Sequence, residues 1–244
     1  MMKNEHDDWL TGSMWVLLGI ILDFGLQLLV TSSSQGLAIL FGQPKEGILA
    51  TSLMVLITLI LTAAVVYLLT YAVRFRSPKL GWHPWRRDKV RLAVLGYPLL
   101  LVATMLIKLF QLFFTGGIAT ADNELNLRQL MAAGPYDFLF VFILAVGVAP
   151  LVEELIFRGV VLNYFFKQSQ HYWLNIGLSA ILFGFFHVFQ AFNFFDFLQY
   201  ATMGAILATV YKRTRQLQYA VLLHAINNTV AMVVSLITIN PFGW

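Results

Sequence analysis

Two adjacent carboxylates and a guanidinium lie inside the apolar stretch GVAPLVEELIFRGVVL, residues 147–162. Ionisable side chains in such a stretch are costly to bury and usually mark a functional site. Glu154 and Arg158 are four residues apart, so on a helix they share a face and can form an ion pair. Glu153 is rotated by about 100° from Glu154 and lacks that partner. An ion pair that fixes helix packing explains Glu154 and Arg158 but not Glu153, which is therefore the candidate general base.

Two histidines lie in later apolar stretches. His187 closes the sequence FGFFH, and His224 opens HAINN, with Asn228 four residues further on. His224 and Asn228 share a helix face and can point hydrogen-bond donors at one spot, as the oxyanion of an acyl-transfer reaction requires. Asn227 competes with Asn228 on geometry alone. One membrane histidine is more often a packing residue than a catalyst, but two on separate helices, with an unpaired carboxylate on a third, favour catalysis.

The elements that position these residues are predicted to cross a membrane. Hydrophobic residues make up 59% of the 244 residues and charged residues only 11%, whereas soluble domains are roughly a quarter charged. Segments of about 20 apolar residues can span a bilayer. We predict an all-α, polytopic transmembrane bundle of about seven to eight helices, with the catalytic core in the last four. The predicted spans are 14–31, 49–73, 92–114, 136–166, 172–190, 197–211 and 217–239.

One integrated membrane domain is expected, in two parts. Residues 1–135 supply N-terminal transmembrane helices and a basic cytoplasmic loop, and residues 136–240 form the catalytic helix bundle. The 136–166 segment is longer than a bilayer needs, and Pro150 supplies a bend. Counted back from the turn at 167–171, Glu153 and His187 lie at about the same depth.

Lysine and arginine concentrate in the loops at 74–91 and 212–215, which predicts that both loops are cytoplasmic. Seven spans then place the N-terminus inside and the C-terminus outside. The net charge of +4 is a topology signal, so the lipid bilayer and not nucleic acid is the expected partner. The 74–91 loop is interpreted as a topology anchor, with an interfacial helix on anionic lipid as the alternative. The chain has no cysteine, which excludes disulfides and thiolate chemistry.

A family resemblance rests on three motifs in order. EELIFR (153–158), FGFFH (183–187) and HAINN (224–228) match the patterns EExxxR, FxxxH and HxxxN. Over about residues 136–232 the chain resembles the CPBP family, the CAAX protease and bacteriocin-processing (Abi) intramembrane proteases. The resemblance implies that Glu153 and His187 bind and activate the attacking water. It also implies that His224 and Asn228 form the oxyanion hole and that Glu154 with Arg158 stabilises the site.

The resemblance further implies an intramembrane endopeptidase acting on a membrane-associated or hydrophobic peptide or protein. Its expected location is a bacterial plasma membrane, as a multi-pass protein with the active site towards the cytoplasm. Both glutamate-type and metallo-type chemistry are attributed to the family. No cofactor is predicted, but if zinc is present its ligands are Glu153, His187 and His224. The alternative is a non-enzymatic immunity or scaffold protein of the same fold. A proton-relaying transporter ranks last, because no inverted repeat is visible.

Four further polar residues interrupt the predicted spans: Asp23, Gln27, Lys108 and Gln111. They could line a path that brings water to Glu153. Interhelical hydrogen bonds or placement at the membrane interface are the favoured interpretation for each.

Overall fold

Helices account for the regular structure of this computed structural model. The structure describes residues 8–40, 42, 48–77, 83–132 and 134–239. For residues 27–40, 122, 123 and 169 it describes only the backbone. Within these residues there is no strand, which confirms the all-α fold. In chain order, the helices of more than three residues in these ranges are α1 (Trp9–Leu40), α2 (Ile48–Arg76), α3 (Arg87–Thr115), α4 (Asp122–Ala132), α5 (Pro135–Tyr164), α6 (Tyr172–Val188), α7 (Phe194–Thr214) and α8 (Leu217–Ile239).

Five of these helices are long and apolar enough to cross a membrane: residues Trp9–Leu26 of α1, then α2, α3, α5 and α8. Two predicted spans differ from expectation. The 172–190 span is the 17-residue apolar helix α6, and the 197–211 span is α7, which is not among the five. The chain is a multi-pass membrane protein. Helices α6 and α7 pair closely, so much of their surface faces protein and need not be apolar.

An unpredicted helix, α4, occupies part of the 115–135 segment. Its sequence DNELNLRQLMA is largely polar. Met131, near its end, is buried with Phe138, Val141 and Met232 in a small apolar cluster. That contact attaches α4 to α5 and α8, because a mainly polar helix gains most of its stability from the apolar side chains it packs.

Helix α1 runs antiparallel along α5. At its start, the Asp8 amide donates a hydrogen bond to the Tyr164 carbonyl (3.1 Å). A Cβ on Gly12 would lie 2.7 Å from Tyr164 Cβ, and a Cβ on Gly19 would lie 2.8 Å from Ile156 Cγ1. Both glycines therefore allow the two helix backbones to approach closely.

Helix α5 is irregular. Leu144–Val148 and Leu155–Val161 are π-helical, and the short α-helical stretch between them, Ala149–Glu154, contains Pro150. The predicted irregularity at Pro150 therefore takes the form of widened turns on both sides of it. Backbone carbonyls within a membrane must be satisfied inside the protein. Side chains bind three of them: Asn163 Nδ2 donates to the carbonyls of Arg158 (3.1 Å) and Gly159 (2.7 Å), and Ser179 Oγ donates to Phe157 (2.9 Å).

The end of the basic 74–91 loop docks onto the turn between α7 and α8. The contacts are a paired hydrogen bond between the Gln218 side chain and the His83 backbone (2.9 and 2.7 Å), Arg86 N to Tyr219 Oη (2.8 Å), and Lys89 Nζ to the Thr214 carbonyl (2.8 Å). Both basic segments therefore lie at the same end of the bundle, as their predicted common location requires. Lys79 and Trp82, which belong to the predicted anchor, lie outside the described residues.

The approach of α6 and α7 gives a test of the packing. A Cβ on Gly204 of α7 would lie 3.0 Å from Ala180 Cα. We expect Gly204→Ala to lower the free energy of unfolding by about 1–3 kcal/mol, because backbone atoms cannot move aside as a side chain can. The matched control is Gly177→Ala on α6, where a Cβ meets nothing within 4 Å. Thermal unfolding in detergent measures both, and equal stability of the two variants would contradict the packing.

Candidate active site

A buried ion pair on α5 forms the base of the site. Arg158 Nη1 donates to Glu154 Oε1 at 2.9 Å, and both side chains are fully buried, which confirms the pairing predicted from their spacing. Arg158 Nη2 donates to the Gly204 carbonyl of α7 at 2.9 Å. The guanidinium also lies over the Phe183 ring of α6, 4.6 Å from its centroid. Arg158 thereby fixes α5 relative to α6 and α7.

His224 of α8 makes a second contact to the same carboxylate. Its Nδ1 lies 3.0 Å from Glu154 Oε1. Glu154 is the carboxylate of an ion pair with Arg158, and a carboxylate only accepts hydrogen bonds, so Nδ1 of His224 is the donor. Spacing along the chain gave no sign of this contact, since the two residues are 70 positions apart. It fixes the ring so that Nε2 points away from Glu154.

His187 of α6 is held in a similar way by a neutral partner. Its Nδ1 lies 2.9 Å from the Phe183 carbonyl, four residues earlier on the same helix. A carbonyl can only accept, so Nδ1 is again the protonated nitrogen. The ring stacks on Tyr200 of α7, with centroids 4.4 Å apart. Tyr200 and Phe183 thus set the orientation of the imidazole, and only the Phe183 part of this was visible in the FGFFH motif.

Glu153 meets both histidines at their remaining nitrogens. Its Oε2 lies 3.5 Å from His187 Nε2 and 4.0 Å from His224 Nε2. Oε2 is buried and has no hydrogen-bond partner within the described part of the chain. Glu153 Oε2 and the unprotonated Nε2 of His187 are two acceptors 3.5 Å apart, and such an arrangement is favourable only with a hydrogen-bond donor beside them. A water molecule can supply that donor and can be deprotonated there.

Asn228 lies one turn of α8 beyond His224. Its Nδ2 donates to the Ala145 carbonyl in the first π-helical stretch of α5 at 2.8 Å. Asn227 Nδ2 donates to Asn228 Oδ1 at 3.2 Å and contacts Met203 Sδ at 3.7 Å. Asn227 therefore orients Asn228, and the amide of Asn228 has one further N–H to offer. Its place in an oxyanion hole stays a prediction.

The donor types of Glu153, His187 and His224 match a three-ligand zinc site. However, no group of three His, Cys, Asp or Glu residues within 8–40, 42, 48–77, 83–132 and 134–239 is arranged to hold a metal ion. The zinc site considered from the sequence stays an untested prediction, and no step is derived through a metal.

The side chains of three of the four other polar residues in the predicted spans are described by the structure. Lys108 Nζ contacts the Ala119 carbonyl (3.0 Å), Gln111 Oε1 (3.4 Å) and Asp196 Oδ1 (3.4 Å). Lys108 thus agrees with the interhelical interpretation through Asp196 of α7, whereas Gln111 contacts Lys108 on the same helix. Asp23 is buried, with 3% of its surface exposed. The Gln27 side chain lies outside the described residues.

Comparisons with known proteins agree with the resemblance. Residues 135–230 match the family model of the type II CAAX prenyl endopeptidase Rce1-like proteins. UPF0177 protein YbdI of Lactococcus lactis is 32% identical over 98 residues, 40% of this chain and 50% of that protein. YdiL of Bacillus subtilis, whose name describes a membrane peptidase, is 25% identical over 80% of this chain and 77% of its own length. The membrane-embedded CAAX protease MroQ of Staphylococcus aureus is 24% identical over 68% of this chain and 62% of its own length.

The first of these alignments spans only half the length of the relative, and the alignment with MroQ spans less than two thirds of it. No solved structure matches the chain. The recognition of the CAAX protease family from the three motifs is confirmed.

Removing one partner of the buried ion pair tests its role. We expect Arg158→Met to lower the free energy of unfolding by about 3–5 kcal/mol, because it leaves the buried Glu154 side chain without the guanidinium that compensates it. The double variant Glu154→Leu/Arg158→Met should recover part of that loss.

The matched control is Arg128→Met, which breaks the exposed i, i+4 pair with Glu124 on α4. Exposed pairs contribute about 0–1 kcal/mol, so this variant should unfold near the wild-type temperature. Thermal unfolding in detergent compares all four proteins. An Arg158→Met protein as stable as its Arg128→Met counterpart would show that the buried pair does not hold the bundle together.

Proposed function

Since residues 135–230 match the Rce1-like CAAX protease family model, we propose that the protein is an intramembrane endopeptidase. It hydrolyses a peptide bond of a membrane-associated or hydrophobic peptide, close to the cytoplasmic side of a bacterial plasma membrane. The observation that carries this proposal is the meeting of Glu153 Oε2 with the Nε2 atoms of His187 and His224 on three different helices.

In the proposed mechanism Glu153 and His187 hold the attacking water. The water donates its two hydrogens to Glu153 Oε2 and His187 Nε2, which leaves an oxygen lone pair for the substrate. Glu153 takes a proton as the oxygen bonds to the carbonyl carbon. The same proton then passes to the nitrogen of the scissile bond, the C–N bond breaks, and an acid and an amine are released. Glu153 ends as the carboxylate, ready for another water.

His224 and Asn228 stabilise the oxyanion of the tetrahedral intermediate. A neutral His224 with its proton on Nδ1 cannot donate from Nε2. In the proposed mechanism His224 carries a proton on both ring nitrogens throughout the cycle: Nδ1 donates to Glu154, and Nε2 donates to the oxyanion. His187 has only a carbonyl on Nδ1 and stays neutral. The different partners of the two histidines therefore suit one to accept a hydrogen bond from water and the other to donate one to the oxyanion.

The surroundings of the site strengthen these interactions. His224 and Glu153 are 2% and 6% exposed, and charges act more strongly in such a low-dielectric site than in water. The position of the site between helices also fits a substrate that arrives sideways through the bilayer. Protons move only between water, Glu153 and the substrate in this mechanism, and no metal takes part in it.

Removing the proposed base tests hydrolysis directly. We expect Glu153→Gln to abolish cleavage, because an amide keeps the shape of the side chain but does not take a proton from water. The measurement is N-terminal proteomics of membranes that contain wild-type or variant protein, which names the cleaved bonds. Glu124→Gln on the exposed face of α4 is the matched charge-removing control and should cleave normally.

A Glu153→Gln protein that stays folded and keeps its full biological activity would contradict the enzyme and favour the immunity or scaffold alternative. A stoichiometric bound metal, with activity lost on chelation and restored by metal, would contradict the metal-free mechanism while leaving the protease intact.

Substituting the two asparagines in turn distinguishes the proposed oxyanion donor, Asn228, from the residue that orients it, Asn227. We expect Asn228→Ala to lower kcat by about 10²–10³-fold with little change in KM, as the loss of an oxyanion donor does. Asn227→Ala should have a smaller effect, because Asn227 acts through Asn228 Oδ1. Steady-state kinetics on a quenched-fluorescent peptide carrying the identified bond compares them. A larger loss of kcat for Asn227→Ala than for Asn228→Ala would contradict the assignment of Asn228 as the oxyanion donor.

A further inference from the structure

A third carboxylate lies close to the site, on a helix that carries none of the three motifs. Asp23 belongs to the face of α1 that is buried against the bundle, and it is itself 3% exposed. The buried members of this face recur every three or four residues: Gly12, Val16, Gly19, Asp23 and Leu26. A carboxylate buried in a membrane helix is costly and usually has a function.

The packing of α1 on α5 gives the level of Asp23. Gly12 lies against Tyr164, and Gly19 lies against Ile156. Seven residues along α1 thus correspond to eight residues in the opposite direction along α5. Four more residues of α1 correspond to about four of α5, so Asp23 lies opposite Val152, next to Glu153.

An independent contact places the same turn of α1 beside α6. Phe24 packs on Phe186 (5.2 Å between centroids) and Phe189 (5.1 Å). These two residues flank His187. Asp23 therefore lies at the depth shared by Glu153 and His187, near enough for its charge to act on Glu153.

We propose that Asp23 is a positioning residue for Glu153, an inference that rests on the proposed function. Two carboxylates in a low-dielectric site repel each other. Asp23 lies on α1, whereas His187 and His224, which Glu153 Oε2 meets, lie on α6 and α8. Repulsion from Asp23 turns the Glu153 carboxylate away from α1 and towards the two imidazoles, where the water is held.

The charged surroundings of Glu153 support this direction. Glu154 is paired with Arg158 and contacted by His224, so its repulsion of Glu153 is offset by the guanidinium. Asp23 has interactions of its own. If those were its only role, an uncharged amide of the same size would replace it without loss.

Three substitutions separate charge from hydrogen bonding: Asp23→Asn removes the charge, Asp23→Glu keeps it, and Asp23→Leu removes all polarity. We expect Asp23→Asn and Asp23→Leu to lower kcat by about tenfold or more, with KM within twofold of wild type, because a base displaced by a fraction of an ångström loses its alignment. Asp23→Glu should retain more activity than Asp23→Asn. Across the three variants, the loss of kcat should not follow the change in unfolding temperature.

The assay uses the full chain in liposomes with the quenched-fluorescent peptide defined above, beside Glu153→Gln. Thr58→Val, which removes a buried hydroxyl bonded within α2, is the control and should leave kcat unchanged. If the wild type cleaves, Glu153→Gln does not, and Asp23→Asn equals the wild type, the positioning role is overturned. Losses that follow the unfolding temperature overturn it as well. A wild-type protein that cleaves nothing overturns both this inference and the proposed function.

Discussion

The contact on which the rest of the site depends is the buried carboxylate of Glu154. It accepts from Arg158 on its own helix and from His224 on α8. Arg158 in turn binds the α7 backbone and the α6 ring of Phe183. Neither charge is tolerable in this interior without the other, so the four helices are held in register at the level where Glu153 and the histidines lie. The ion pair thus acts as a framework for the reacting groups and not as one of them.

The irregularity of α5 serves the same arrangement. Both carboxylates lie in the six residues between two π-helical stretches, a kind of distortion often found at functional sites. The distortion frees backbone carbonyls, and Asn163 and Ser179 bind them from within the bundle. A helix of this shape is stable in a membrane only because those side chains are present. Its polar residues are therefore explained partly by backbone chemistry and only partly by catalysis.

The two histidines differ in the partner of Nδ1, and that partner decides what Nε2 can do. Each imidazole has its Nδ1 occupied, one by a carboxylate and the other by a carbonyl, so each presents Nε2 to Glu153. Because a carboxylate stabilises an imidazolium and a carbonyl does so less, two chemically identical side chains become suited to different roles. Asp23 extends this principle to Glu153, whose direction depends on the groups around it.

Features set by neighbours along the chain were determined by the sequence alone. The all-α fold, the i, i+4 pair of Glu154 and Arg158 and the irregularity near Pro150 follow from local helix geometry and apolar length. The tertiary structure alone decided the contact of Glu154 with His224, the stacking of Tyr200 on His187, the depth of Asp23, the presence of α4 and the pairing of α6 with α7. These features depend on how helices distant in sequence approach and turn relative to one another, which close contacts at residues such as Gly19 and Gly204 fix. No local pattern records that distance or rotation.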